Sequence, residues 1–208
     1  MSEPRVVRPG DGEVIRDSPE GRVEILCDHE AVHATVSRFA PGREGASLHI
    51  HRRHHDLFFV LEGSLGLRRA DGDDILAEAG TLVCVPPMVV HGFRNASSEQ
   101  EMRYLNLHAP GVGFADYMRG LRDGVKVVYD QEDPPSSGAV PSSEVWIGEP
   151  PLSLATVSVS LSPGGGTSQR LECYFVLSGE DAGTWVEFPP GVPHEGPSSA
   201  LHVSAGAA

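Results

Sequence analysis

Hydrophobic and polar positions along this chain alternate in short runs closed by turn residues, a period-two pattern that predicts strands rather than helices. The runs are GRVEILC (21–27), AVHATVSRF (31–39), DLFFVLEG (56–63), SLGLRR (64–69), DILAEAG (74–80), TLVCVPP (81–87) and MRYLNLH (102–108). The Asp-Gly in RRADGDDI, set between two of these runs, predicts a tight hairpin. One segment has the helical period instead. In GFADYMRGLRDG (113–124), Phe114, Tyr117, Met118 and Leu121 form one apolar stripe closed by glycine, which predicts a helix lying over the mouth or side of a barrel.

Periodicity stops at QEDPPSSGAVPSS (131–143), which reads as a linker between a first domain over 1–130 and a second over 144–208. Strands resume in LATVSVSLS (154–162), ECYFVLSG (172–179), TWVEFPP (184–190) and ALHVS (200–204). This second set repeats the first. DLFFVLEG answers to ECYFVLSG 116 residues later, but AGTLVCVPPMVVH (79–91) answers to AGTWVEFPPGVPH (182–194) only 103 residues later. The second unit is therefore a copy shortened by one hairpin, which leaves strand edges to be covered.

Composition adds exclusions. A net charge of −13, from 29 acidic against 16 basic side chains, argues against a grip on nucleic acid or anionic lipid. Residues 131–208 hold nine of the acidic residues and one arginine, so the charge is concentrated on the linker and the second unit. No run approaches the roughly 18 apolar residues of a membrane helix, and the first residues lack a signal-peptide pattern. Cys27, Cys84 and Cys173 are odd in number and far apart, which fits buried thiols in a cytoplasmic protein.

The chemistry is concentrated in HIHRRHHD (49–56). On an extended chain His49 and His51 project to one side, and two adjacent imidazoles make half of a first-row metal site. Asp56 follows after four residues and Gly63 after six more; from Gly80 the spacing runs through Pro86 and Met88 to His91 and Asn95. His54 and His55 could also ligate, although a solvated turn is the expectation for both. In the second copy only Glu172 and His194 occupy ligand-like positions, which points to a structural role there.

These two spacings resemble the paired motifs of the cupin superfamily, G(x)5HxH(x)3–4E(x)6G and G(x)5PxG(x)2H(x)3N. The resemblance implies an all-β fold, a cupin jelly-roll β-barrel (double-stranded β-helix), here with a shortened second cupin-like unit and one covering helix. It implies that His49, His51 and His91 hold one divalent metal ion per chain, which could be Fe, Ni, Mn, Cu or Zn. Two departures stand out. Met88 replaces a family glycine, so the turn geometry should differ and a thioether could lie beside the site. Asp56 replaces glutamate, so it could ligate the metal or fall short and orient a ligand or water.

Face alternation assigns Phe58 and Val60 to the cavity with Asp56, and Tyr104, Asn106 and His108 to the same interior, with Met88 as a further pocket residue. A mostly apolar pocket over a metal suits a small aromatic or phenolic substrate. The two-copy layout is most similar to bicupins of quercetin 2,3-dioxygenase type, which implies O2 insertion with Asp56 as the catalytic proton acceptor. A zinc-dependent, non-redox cyclase or isomerase similar to the cupin polyketide cyclases is the alternative, and a non-catalytic ligand-binding or sensory cupin a third. A small-molecule partner and a homodimer are the expected associations.

Overall fold

The computed structural model describes residues 3–161 and 164–206. Its strands are β1 (Arg5–Val7), β2 (Glu13–Ser18), β3 (Gly21–Asp28), β4 (His33–Phe39), β5 (His55–Glu62), β6 (Ser64–Arg69), β7 (Ile75–Glu78), β8 (Leu82–Val85), β9 (His91–Asn95) and β10 (Met102–Ala109), followed by helix α1 (Phe114–Asp123). Beyond it lie β11 (Trp146–Gly148), β12 (Leu152–Ser153), β13 (Val157–Ser160), β14 (Gly165–Gly166), β15 (Leu171–Val176), β16 (Trp185–Phe188), β17 (His194–Glu195) and β18 (Ala200–Ala205). The periodic runs of the sequence each supply one of these strands. Ser162, the last residue of the run at 154–162, lies outside the described residues.

Two compact units result, one of residues 14–149 and one of residues 1–13 with 150–208. In the larger unit a seven-stranded sheet of order β11-β8-β5-β10-β4-β3-β2 accompanies a three-stranded sheet β7-β6-β9. Side chains from both sheets fill its core: Phe58, Val60, Val83 and Val85 from the first, Leu65, Leu67 and Ala77 from the second. This is the arrangement of a jelly-roll barrel, in which inward residues of each strand alternate with outward ones. The Asp71-Gly72 pair forms the β6–β7 turn, with Gly72 at φ 146°, a value that side chains rarely adopt.

In the smaller unit the order is β1-β16-β15-β18-β13-β12, and β14 pairs with β17. Where the larger unit builds the hairpin β6–β7, the chain here passes from β15 to β16 through a short turn in which Val176 N–H donates to the Thr184 carbonyl. The edge of β16 is covered by β1, which pairs Val7 with Trp185 and Arg5 with Glu187. The sequence pattern does not reveal β1, since three residues are too few to show a period.

The stretch at 131–143 belongs to the larger unit rather than bridging free of it. Glu132 bridges Ile50, Val140 bridges Val89, and Val140 and Val145 pack on the barrel core. Its prolines and serines conceal isolated apolar contacts that no periodic search detects. Cys27, Cys84 and Cys173 are buried thiols. Among the described residues no helix is long and apolar enough to cross a membrane.

Candidate metal centre

His49 and His91 are brought together by backbone pairing. The His49 N–H donates to the His91 carbonyl at 2.8 Å and the His91 N–H returns the bond at 3.0 Å. The crossing is close: a Cβ at Gly92 would stand 2.6 Å from the Ala46 carbonyl, so only glycine fits behind His91. His51 follows on the same side, with ring centroids 4.6 Å from His49 and 5.2 Å from His91. Asp56 on β5 completes the group. The four side chains are buried, and one ligand-type atom of each lies within 4.8 Å of all the others.

Their hydrogen bonds decide what this group can do. The Nδ1 atoms of His49, His51 and His91 face the carbonyls of Ser47 (2.7 Å), Asp130 (2.5 Å) and Val89 (3.0 Å). A carbonyl only accepts, so each Nδ1 carries the proton and each Nε2 is left as a lone pair. These lone pairs converge: His49 Nε2 and His51 Nε2 are 3.1 Å apart, and His91 Nε2 is 3.3 Å from Asp56 Oδ2. With the three rings neutral, these lone pairs and the carboxylate oxygen repel one another unless a cation lies between. The donor set therefore fits a first-row divalent ion, and the backbone carbonyls fix the ring orientation such an ion needs.

The electrostatics distinguish the rings: burial works to lower His51, but Asp56 and Asp130 beside it outweigh burial and raise its imidazole above the ordinary value. Burial drives the His49 imidazole down to about 3, with His91 adding to the effect, so the ring is neutral and available for ligation. Burial also works to raise the Asp56 carboxyl, but His108, His51 and His91 outweigh it and hold the group well below the ordinary carboxylate range. Its other oxygen, Oδ1, accepts from Asn106 Nδ2 at 2.5 Å and lies 3.2 Å from His108 Nε2.

Above this cluster is a cavity of about 430 Å³. Phe39, Phe93 and Tyr104 form its barrel wall, and Phe114, Tyr117, Met118 and Leu121 of α1 form its roof, so the apolar stripe of the helix faces the site. Thr35, Ser37, Arg43, Asn106 and His108 supply its polar groups.

Of the pocket residues expected from the sequence, Tyr104, Asn106 and His108 line this cavity. Phe58 and Val60 do not. Both are fully buried in the barrel core, because alternation selects the interior face but not the depth along the strand. Met88 is also absent from the lining. It keeps the left-handed turn of the glycine it replaces, at φ 69°, and its sulfur faces Arg52 Nη1 at 3.7 Å. His54 is no solvated turn: it is completely buried, between Asp130 and Tyr129. Tyr129 and Asp130 escape the sequence motifs because they come from a segment distant in sequence from His54, whereas the helix over the cavity is the one expected at 113–124.

The cupin domain family profile matches residues 35–108, the segment that carries all four clustered residues. The fold is that of the cupin superfamily. Solved structures extend the likeness of fold over nearly the whole chain. A putative glyoxylate-induced protein from Pseudomonas aeruginosa is 15% identical, covering 98% of this chain and 88% of its own, with a TM-score of 0.62. AerE from Microcystis aeruginosa is 14% identical over 93% of this chain and 94% of its own, with a TM-score of 0.61. The bacterial pirin YhhW from Escherichia coli, solved in complex with nickel(II), is 12% identical over 98% and 94%, with a TM-score of 0.59. At these identities the likeness is one of fold. Curated proteins yield no match to the chain.

Proposed function

We propose that this cupin is a metal-dependent enzyme acting on a small aromatic or phenolic molecule, a dioxygenase of quercetinase type, with His49, His51, His91 and Asp56 as the metal ligands. The observation that carries the reading is the convergence of three Nε2 lone pairs and one Asp56 oxygen at the floor of an aromatic-walled cavity. A bound divalent ion would supply a Lewis acid for a substrate oxygen and, where redox-active, a centre for O2 chemistry. Phe39, Phe93, Phe114 and Tyr117 would stack on a planar ligand and keep water away from it. Asn106 and His108 fix one Asp56 oxygen, so the other stays turned to the histidines.

One observation favours a second reading, a non-redox zinc cyclase or isomerase. Asp56 Oδ1 is occupied by donors and the carboxyl is held strongly acidic, which makes it a poor proton acceptor for an oxygenase. Metal analysis of protein purified without added metal, joined to O2 uptake on flavonols and catechols, separates the two. Iron, nickel, copper or manganese with O2 consumption supports the dioxygenase. Stoichiometric zinc without O2 consumption overturns it in favour of the cyclase. Ligand binding that survives replacement of His49 and His51 by alanine would support a ligand-binding or sensory protein instead.

A further inference from the structure

After α1 the chain returns alongside the HxH segment, outside the residues matched by the cupin profile. Ile50 and Glu132 exchange backbone bonds of 2.9 and 3.1 Å, which brings Asp130 against residues 51–54. Asp130 is buried, and all three of its oxygens are engaged there. Its carbonyl accepts the His51 Nδ1–H at 2.5 Å. Carboxylate Oδ1 accepts the Arg52 backbone N–H at 3.2 Å, while Oδ2 accepts the Arg53 N–H at 2.8 Å and the His54 Nδ1–H at 2.9 Å. With its Nδ1 proton committed, His54 accepts the Tyr129 O–H on Nε2 at 3.0 Å. One residue thus grips the turn behind the metal loop with its side chain and a clustered histidine with its backbone.

The two grips depend on each other. A buried carboxylate taking three donors in fixed directions leaves its own peptide unit little freedom. The peptide carbonyl is what keeps the proton on His51 Nδ1 and the lone pair on Nε2. Without the carboxylate, residues 52–54 lose three bonds, and the carbonyl is no longer held opposite the imidazole. His51 could then rotate or shift its proton, and the convergence of lone pairs would be broken.

We propose that Asp130 is a positioning residue for the metal centre: by fixing the turn at 52–54 it holds its own carbonyl on His51 and so presents His51 Nε2 for ligation. This rests on the reading of the four-residue cluster as a metal site, and the test separates the two. Metal-free full-length protein is titrated with cobalt(II), and affinity and visible absorption are recorded for wild type, D130A, D130N and H91A. D130A is expected to bind about 10–100-fold more weakly, with a shifted cobalt spectrum. D130N keeps an acceptor oxygen but sets an NH2 against a donor, so its affinity should lie between D130A and wild type.

A residue that only stabilised the fold would lower the melting temperature of the metal-free protein and leave cobalt affinity and spectrum unchanged; that result overturns the proposal. If D130A does not fold, wild-type affinity and spectrum in D130N overturn it equally. Wild type that takes no cobalt, indistinguishable from H91A, overturns the metal reading itself and the role of Asp130 with it.

Discussion

Asp56 and Glu172 occupy matching positions in the two units, and their neighbours make them different things. Asp56 on β5 stands opposite His108 on β10, and Glu172 on β15 stands opposite Ser204 on β18. Both carboxylates are buried. Donors satisfy Glu172 on each side: His202 Nε2 lies 2.6 Å from one oxygen and Ser204 Oγ donates at 2.9 Å to the other. Asn106 and His108 take one Asp56 oxygen, and the second faces the Nε2 atoms of His51 and His91, rings whose Nδ1 protons go to backbone carbonyls. The first arrangement is complete in itself, whereas the second calls for a cation. What separates a structural acid from a candidate ligand is therefore the protonation of the surrounding rings, which backbone carbonyls orient, those of Ser47 and Val89 from two residues away and that of Asp130 from far along the chain.

His194 preserves half of that device. Its Nδ1 faces the Val192 carbonyl at 3.2 Å, as His91 faces Val89. Yet the ring stacks on Phe188 at 4.8 Å, and no HxH segment exists in this unit to meet it. Replacing each histidine by alanine should break the comparison most sharply. H91A should lose nearly all bound metal, and H194A should retain the wild-type content by elemental analysis. Equal losses would mean that the second unit is a working site.

The next contrast lies within the larger unit, between its core and its cavity. Phe58 is fully buried among Val83, Val85 and Leu65, so F58A should cost about 3–5 kcal/mol in denaturant unfolding. Phe114 lies at the start of α1, its ring 3.9 Å from that of His108, and faces the cavity. F114A should cost clearly less stability and instead weaken retention of a catechol or flavonol by the metal-loaded protein. If F58A proved the milder of the two for stability, the division between core and cavity drawn here would be wrong.

These contrasts also mark how far the sequence could be read. The spacing of His49, His51, Asp56 and His91 was legible because strand pairing turns fixed intervals into fixed neighbours. Asn106 and His108 were legible as the inward face of their strand. Phe58 and Val60 share that inward face and still miss the cavity, because depth along a barrel strand depends on what closes the far end. Asp130 left no trace in the pattern: it follows a helix, belongs to no periodic segment, and acts partly through a carbonyl that every residue possesses. His54 appeared exposed for the same reason, since its burial is produced by Tyr129 and Asp130, 75 and 76 residues further along.

The subtlest difference between the two carboxylates lies in their response to acid, and in Glu172 it can be measured without any metal. Burial works to raise the Glu172 carboxyl, but hydrogen bonds from His202, Ser168 and Ser204 outweigh it and bring the group below its ordinary 4.5. A pKa lower in the folded than in the unfolded chain means that the folded state binds the proton less readily. The stabilisation is therefore full above about pH 4.5 and is lost as pH falls from there through the folded value. Trp185 is fully buried in the same sheet, so in a Trp146→Phe background its fluorescence follows the smaller unit alone. E172Q should be less stable than its parent near pH 6 and should converge with it on acidification, because glutamine has no proton to gain. Parallel pH profiles would show that Glu172 is held by shape rather than by charge, and the contrast with Asp56 would then rest on the histidines alone.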